Sequence, residues 1–160
     1  MTIVVRFAAE ADLDLLVQLN QIVQSVHHDL YPEDFEKLVD AQSLKSLLAP
    51  RLANVAIAEL DGKPAGYIWF DIQTRPASPF SPARRRLYVH HLSVAPNARR
   101  RGIAGALMAH AEAFAEGEDI IEIALSHWAA NTGAQEFFAA QGFAPYQVLL
   151  RKKLSDGSDD

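Results

Sequence analysis

The chain has 160 residues, 49% of them hydrophobic and 22% charged, with a formal net charge of -5; this composition suits one globular domain with a sizeable core and argues against a disordered chain. The acidic balance disfavours a dedicated nucleic-acid binder, which is usually basic, and the absence of cysteine excludes disulfides, thiolate metal sites and a cysteine nucleophile. The amino terminus carries no basic segment followed by a long apolar one, and apolar residues nowhere run for about 18 positions, so a cytoplasmic protein with no membrane partner is expected.

In chain order, "TIVVRFA" (2–8) is β-rich. "AEADLDLLVQLNQIVQSVH" then repeats apolar residues at threes and fours through Leu13, Leu16, Val17, Ile22 and Val26, which predicts a helix. The pattern breaks at Pro32 and is expected to restart as helix, because Glu33 and Asp34 suit a first turn. "SLKSLLA" (43–49) predicts more helix, capped by Ser43. "NVAIAELDGKPAGYIWFDIQ" reads as two strands joined at "DGK", a hairpin signal. "TRPASPFSPARRR" has three prolines and predicts an exposed loop, with Arg84 to Arg86 solvating it. "LYVHHLSV" (87–94) reads as a largely buried strand. "GIAGALMAHAEAFAEG" is a helix with an apolar face of Ile103, Leu107, Met108, Ala111 and Phe114.

"DIIEIALSH" predicts another strand, "NTGAQEFFAAQG" a helix closed by Gly142, and "FAPYQVLLRKKL" (143–154) a last strand that offers a surface for pairing two subunits into a homodimer. The order β-αα-β-β-β-α-β-α-β implies a single-domain mixed α/β (α+β) fold over residues 1–154, with a mostly antiparallel sheet flanked by helices. Residues 155–160 read as a disordered polar tail.

The most informative stretch is "LSVAPNARRRGIAG" (92–105). A loop before a helix leaves amides without intrahelical partners, and with the helix dipole they form an anion site. Gly102 permits an unusual backbone angle and Gly105 a close approach to the backbone, while Arg99, Arg100 and Arg101 add positive charge. The stretch is neither a P-loop nor a three-glycine dinucleotide fingerprint. On spacing alone, a phosphate grip and a solvated arginine turn are about equally compatible with it.

The run V-A-P-N-A-R-R-R-G-I-A, Val94 to Ala104, resembles the acetyl-CoA signature of the GCN5-related N-acetyltransferases, with Arg99, Gly102 and Ala104 at its defining positions. "NTGAQEFFAAQGF", Asn131 to Phe143, is similar to the family's Asn-led helix ending in Gly-Phe, and "VRFAAEADLDLLVQL" to its opening strand and helix. The resemblance implies acetyl-CoA as co-substrate and transfer to an amine acceptor, a small molecule or peptide. It implies that backbone groups of Leu92, Ser93 and Val94 pair with the pantetheine arm, and that amides from Arg99 through Ile103 and Ala104 to Gly105 hold the pyrophosphate. Asn131 then contacts the arm near its thiol end. Many relatives place a proton-donating tyrosine four residues before the glycine of that helix. Here the position is Phe138, which lines the cofactor site without donating. Tyr146, Tyr88, His127 or water are the candidate stand-ins.

An alkyl amine has a pKa of about 10.4, so a base must remove its proton near neutral pH. His90 and His91 precede the cofactor segment of their strand, and imidazole suits the task. Strand alternation puts Tyr88, His90, Leu92 and Val94 on one face and Val89, His91 and Ser93 on the other. Relatives often carry their base at positions matching Tyr88 or His90, so His90 is preferred and His91 is expected to be structural; a bulge would overturn that parity. The resemblance implies that the segment "VHHDLYPEDF" (26–35) walls the acceptor pocket, with His28, Asp29, Tyr31, Glu33 and Asp34 favouring a cationic amine and Tyr88 and Trp128 nearby; on composition alone a helix cap with a solvated acidic turn fits the segment equally, and core packing fits Trp128. His27 has no assigned role. No histidine spacing indicates a metal, and no nucleic-acid partner is expected. A non-catalytic acyl-CoA-binding module is the rival from another class.

Overall fold

The computed structural model describes residues 1–155; the tail expected at 155–160 lies, from Asp156 onward, outside the described residues. Five strands form one sheet in the order β1 (Ile3–Phe7), β2 (Val55–Leu60), β3 (Lys63–Arg75), β4 (Arg84–Val94) and β5 (Ile123–Leu125). The first three pairings are antiparallel and β4–β5 is parallel. Helices α1 (Leu13–Leu30) and α2 (Ala41–Leu48) precede β2, α3 (Ile103–Gly117) crosses from β4 to β5, and α4 (Thr132–Ala140) follows. This is the mixed, mostly antiparallel sheet flanked by helices that the element order implies.

Alternation along the strands divides the core in two. Val55, Ile57, Tyr67 and Trp69 face α1 and α2, where they meet Leu16, Leu19, Leu44 and Leu48. Ala56, Ala58, Ile68 and Phe70 face the other way, onto Ile103, Leu107, Met108 and Ala111 of α3. The β2–β3 hairpin turns at Asp61 and Gly62, whose φ values of 51° and 80° are those of the tight turn that "DGK" predicts. At Gly66 the β3 backbone runs so close to β4 that a Cβ would lie 2.6 Å from the carbonyl oxygen of Ser93.

Three expectations differ from the structure. No helix restarts after Pro32. Residues 31–40 form turns, and α2 is capped by Asp40, whose carboxylate accepts from the Ser43 amide at 2.9 Å; Ser43 itself is inside the helix. Arg84 to Arg86 belong to β4, where they bond Glu122, Glu118 and Gln73. The segment 143–154 is not a strand among the described residues: a strand needs a ladder partner, and beyond the Phe143 amide, which donates to the Phe138 carbonyl at 3.0 Å, this segment is tied down by side chains, Tyr146 to Arg84, Arg151 to Asp34 and Lys153 to Glu33. Val148, Leu149 and Leu150 remain exposed. No described helix is long and apolar enough to cross a membrane.

Candidate active site

The site begins with a break in the sheet. β4 and β5 pair at Leu87–Ile123, Tyr88–Ala124 and Val89–Leu125, and there the pairing stops. β4 runs on to Val94 with β3 on one side only, so its other edge, from His90 to Val94, presents unpaired peptide groups. At the end of that edge the chain turns through Pro96–Ala98 into the arginine loop. Arg99 is extended, Arg100 has φ 62° and Gly102 has φ 85°. Among the described residues the amides of Arg100 through Gly105 have no backbone acceptor, and the ladder of α3 closes only with Ala106 donating to the Gly102 carbonyl at 3.0 Å. Free amides converging on the positive end of a helix form an anion cradle. A Cβ on Gly105 would find nothing closer than the Gln141 amide at 3.9 Å, so the approach to that backbone is open.

Edge and cradle form one side of a cleft of about 740 Å³ that continues between α1 and the start of α4. Leu92, Ser93, Val94, Arg99, Arg100, Gly102, Ile103, Ala104, Gly105, Asn131 and Phe138 all line it. Arg101 does not: it lines a second, smaller pocket with Asp61 and Lys63. Asn131 caps α4, its side-chain oxygen accepting from the Ala134 amide at 3.1 Å. Phe138 packs edge-on against Phe137 and Phe143 and gives the cleft hydrocarbon only.

The two histidines lie on the same side of the sheet, against the parity argument. The β3–β4 register pairs Trp69 with His91 and Phe70 with Val89, so His90 is an extra residue in a β-bulge. A bulge shifts the alternation by one: Leu87 and Val89 face α3 before it, Leu92 and Val94 face α3 after it, and His91 and Ser93 are turned towards α1. Ser93 donates to the Leu19 carbonyl at 2.6 Å, fastening β4 to that helix. His90 stacks on Trp69 with centroids 4.3 Å apart, and its Nε2 lies 3.4 Å from Asp71 Oδ2. His91 sits deeper, against Trp69, with Nδ1 2.9 Å from Tyr67 Oη; that hydroxyl receives a 2.7 Å bond from Asn20 Nδ2. Burial, reinforced by His90 and His27, pushes the His91 pKa down to about 4, so its ring is neutral.

The cleft lining differs from the set of residues expected to wall an acceptor. Trp128 lines the cleft, together with Phe35 and His27, which sequence reasoning left without a role. His28, Asp29, Tyr31 and Tyr88 do not line it. His28 is bonded to the Phe35 carbonyl, Tyr31 accepts from the Ala130 amide, and Tyr88 meets Ser126. Asp29 is exposed. Glu33 and Asp34 are engaged by Lys153 and Arg151. Tyr146 is 75% exposed and bonded to Arg84, outside the cleft; of Tyr146, Tyr88 and His127, only His127 lines the cleft. Asn20, Tyr67, Trp69 and Asp71 were missed. The one available signal was a polar Asn20 within the apolar spacing of α1.

The chain resembles solved structures over nearly its whole length. A tetramutant of a Bacillus halodurans protein superposes with a TM-score of 0.84 at 16% identity, covering 94% of this chain and 99% of that one. A predicted acetyltransferase from Clostridium acetobutylicum, solved with acetyl-CoA, gives 0.70 at 21% identity over 96% and 97% of the two chains. A GCN5-related N-acetyltransferase from Ralstonia eutropha gives 0.68 at 25% identity over 96% and 100%. No match is found among curated proteins. The acetyltransferase (GNAT) family profile matches residues 16–143, a span that holds the bulge, the free edge of β4, the arginine loop and the Asn131 helix, and the chain is a member of that family.

Proposed function

We propose that the protein transfers the acetyl group of acetyl-CoA to an amine by direct attack, with both substrates in the cleft. The observation that carries this reading is the continuity of the unpaired β4 edge with the free amides of Arg100 to Gly105. An amide-bearing arm can add to that edge as a strand would, and a pyrophosphate fits the cradle, with Arg99 and Arg100 beside it. Acetyl-CoA supplies the activated acetyl thioester. The residues at the far end of the edge serve the amine.

His90 is the base in this reading. Asp71 takes up its Nε2 side, Trp69 fixes the ring plane, and Nδ1 is left to accept the proton of the attacking amine. The amine nitrogen then bonds the acetyl carbon as the carbon–sulfur bond breaks. Phe138 cannot protonate the departing sulfur. A thiol has an ordinary pKa of about 8.5, so the thiolate is a tolerable leaving group and takes its proton from His127 or solvent. Phe138 also sustains the second reading, an acyl-CoA-binding module without turnover.

One experiment separates the two: release of thiol from acetyl-CoA with a panel of amines, compared with hydrolysis alone. Acceptor-dependent release is expected. Tight coenzyme A binding with no release for any amine would instead leave the binding module.

A further inference from the structure

The acceptor half of the cleft carries a chemistry of its own, and its assignment to the amine rests on the acetyl-transfer reading. Among the described residues, no aspartate or glutamate lines the cleft. Of the carboxylates in the α1–α2 connection, Glu33 is engaged by Lys153, Asp34 by Arg151 and Asp40 by the Ser43 amide, and Glu36 is exposed outside the lining. The only formal cations among the described lining residues, Arg99 and Arg100, lie at the cofactor end, and burial lowers the pKa of both His27 and His91. The one carboxylate at that end, Asp71, lies behind the ring of His90 and is engaged by its Nε2 at 3.4 Å, so a second ammonium on the acceptor would meet no free counter-charge among the lining residues and would lose hydration. The same surroundings favour the free base of a single amine, the nucleophilic form.

The wall is aromatic. Trp128 stands edge-on to Phe35 at 4.9 Å, and His27 tilts against Phe35 at the same distance. Such a wall suits a ring-sized apolar body.

Beside it is one oriented donor. Tyr67 Oη receives a hydrogen bond from Asn20 Nδ2 at 2.7 Å, which leaves the phenolic proton for His91 Nδ1 at 2.9 Å. With Nδ1 accepting, the proton of the neutral ring sits on Nε2. Nε2 has no hydrogen-bond partner among the described residues, and His91 lines the cleft. His91 thus offers an N–H to the acceptor. Tyr67 is a positioning residue that sets its tautomer.

We propose that the acceptor is a monoamine with a ring-sized apolar body and an oxygen acceptor close to its amino group, and that polyamines and other polycations are rejected. The test compares 2-amino-1-phenylethanol, 2-phenylethylamine and spermidine by thiol release and, in the coenzyme A complex, by calorimetry. The amino alcohol should exceed phenylethylamine by about tenfold, the worth of one good hydrogen bond. Spermidine should trail on the order of a hundredfold. In Tyr67→Phe, checked for folding by circular dichroism, the ratio between the first two should fall towards one. Nitrogen-15 spectra of the His91 ring should show a pure Nε2–H tautomer in the wild type and a mixture in the variant. Spermidine as the best ligand, equal binding of the first two amines, or an Nδ1–H tautomer would each overturn the proposal. The expected order in calorimetry without thiol release would remove the acetyl-transfer reading and leave the specificity standing.

Discussion

His90 and His91 are neighbours on one strand and do different work because their ring nitrogens meet different partners. His90 is held between Trp69 and Asp71 with a nitrogen to spare, while His91 is turned into the buried contacts of Tyr67 and Asn20. His90→Gln should lower the rate of acetyl transfer by about 10²–10⁴-fold with acetyl-CoA affinity nearly unchanged, because His90 touches no part of the phosphate cradle. The deficit should shrink as pH approaches the pKa of the amine, when free base is plentiful. Steady-state rates across pH, with calorimetry for affinity, check both statements. At the cradle, Gly102→Val places a β-branched side chain at φ 85°, a conformation such residues avoid. The loop must refold locally, and acetyl-CoA affinity should fall by a large factor; unchanged affinity in a folded variant would remove the phosphate role. The loop was legible because glycines, arginines and a following helix are local features. The rest of the cleft lining was not, because which carboxylate meets which cation, Glu33 with Lys153 across most of the chain, is decided by the fold and leaves no trace in spacing.

The elements were legible where their chemistry is local. The turn at Asp61–Gly62 and the amphipathic face of α3 both follow from short patterns, whereas the capping of α4 by Asn131 emerges only in the structure. The bulge did not, since it is a mismatch in count between two strands, visible only when β3 and β4 are laid side by side. The missing last strand has a related cause: "FAPYQVLLRKKL" has strand composition, but propensity cannot supply a partner edge. The close approach at Gly66 is also cross-strand. Gly66→Ala would put a methyl group against the Ser93 carbonyl, the Ile103 side chain and the Val94 backbone. The strands must part to admit it, at a cost of about 1–3 kcal/mol, and the damage should reach the β4 edge. Chemical denaturation should show the loss, and acetyl-CoA should bind more weakly even to the folded fraction.

At the scale of the molecule, the buried histidine makes stability depend on pH. The His91 pKa is about 4 in the folded chain against 6.5 for an ordinary histidine. Between those values the unfolded chain binds the extra proton, so stability is full above pH 6.5, falls as pH drops through that window, and levels off below about pH 4. The loss attributable to His91 is about 3 kcal/mol if the whole shift is expressed. His27 and His110, both lowered by burial, act in the same direction. Thermal melts from pH 7.5 to 4 should show the decline, and His91→Gln should flatten it.

The break between β4 and β5 has a thermodynamic consequence. Three residue pairs are all that join β5 to the rest of the sheet by backbone, so the half carrying β5 and α4 is the half most free to open, and its amides should exchange with solvent soonest. A ligand seated along the free edge would bridge the two halves and act as an interior strand supplied from solution. Its binding energy then becomes folding energy: at a hundred times its Kd such a ligand adds about 2.7 kcal/mol to global stability. The slowing of exchange should be concentrated in β5 and the start of α4, the part of the chain that holds on least without it.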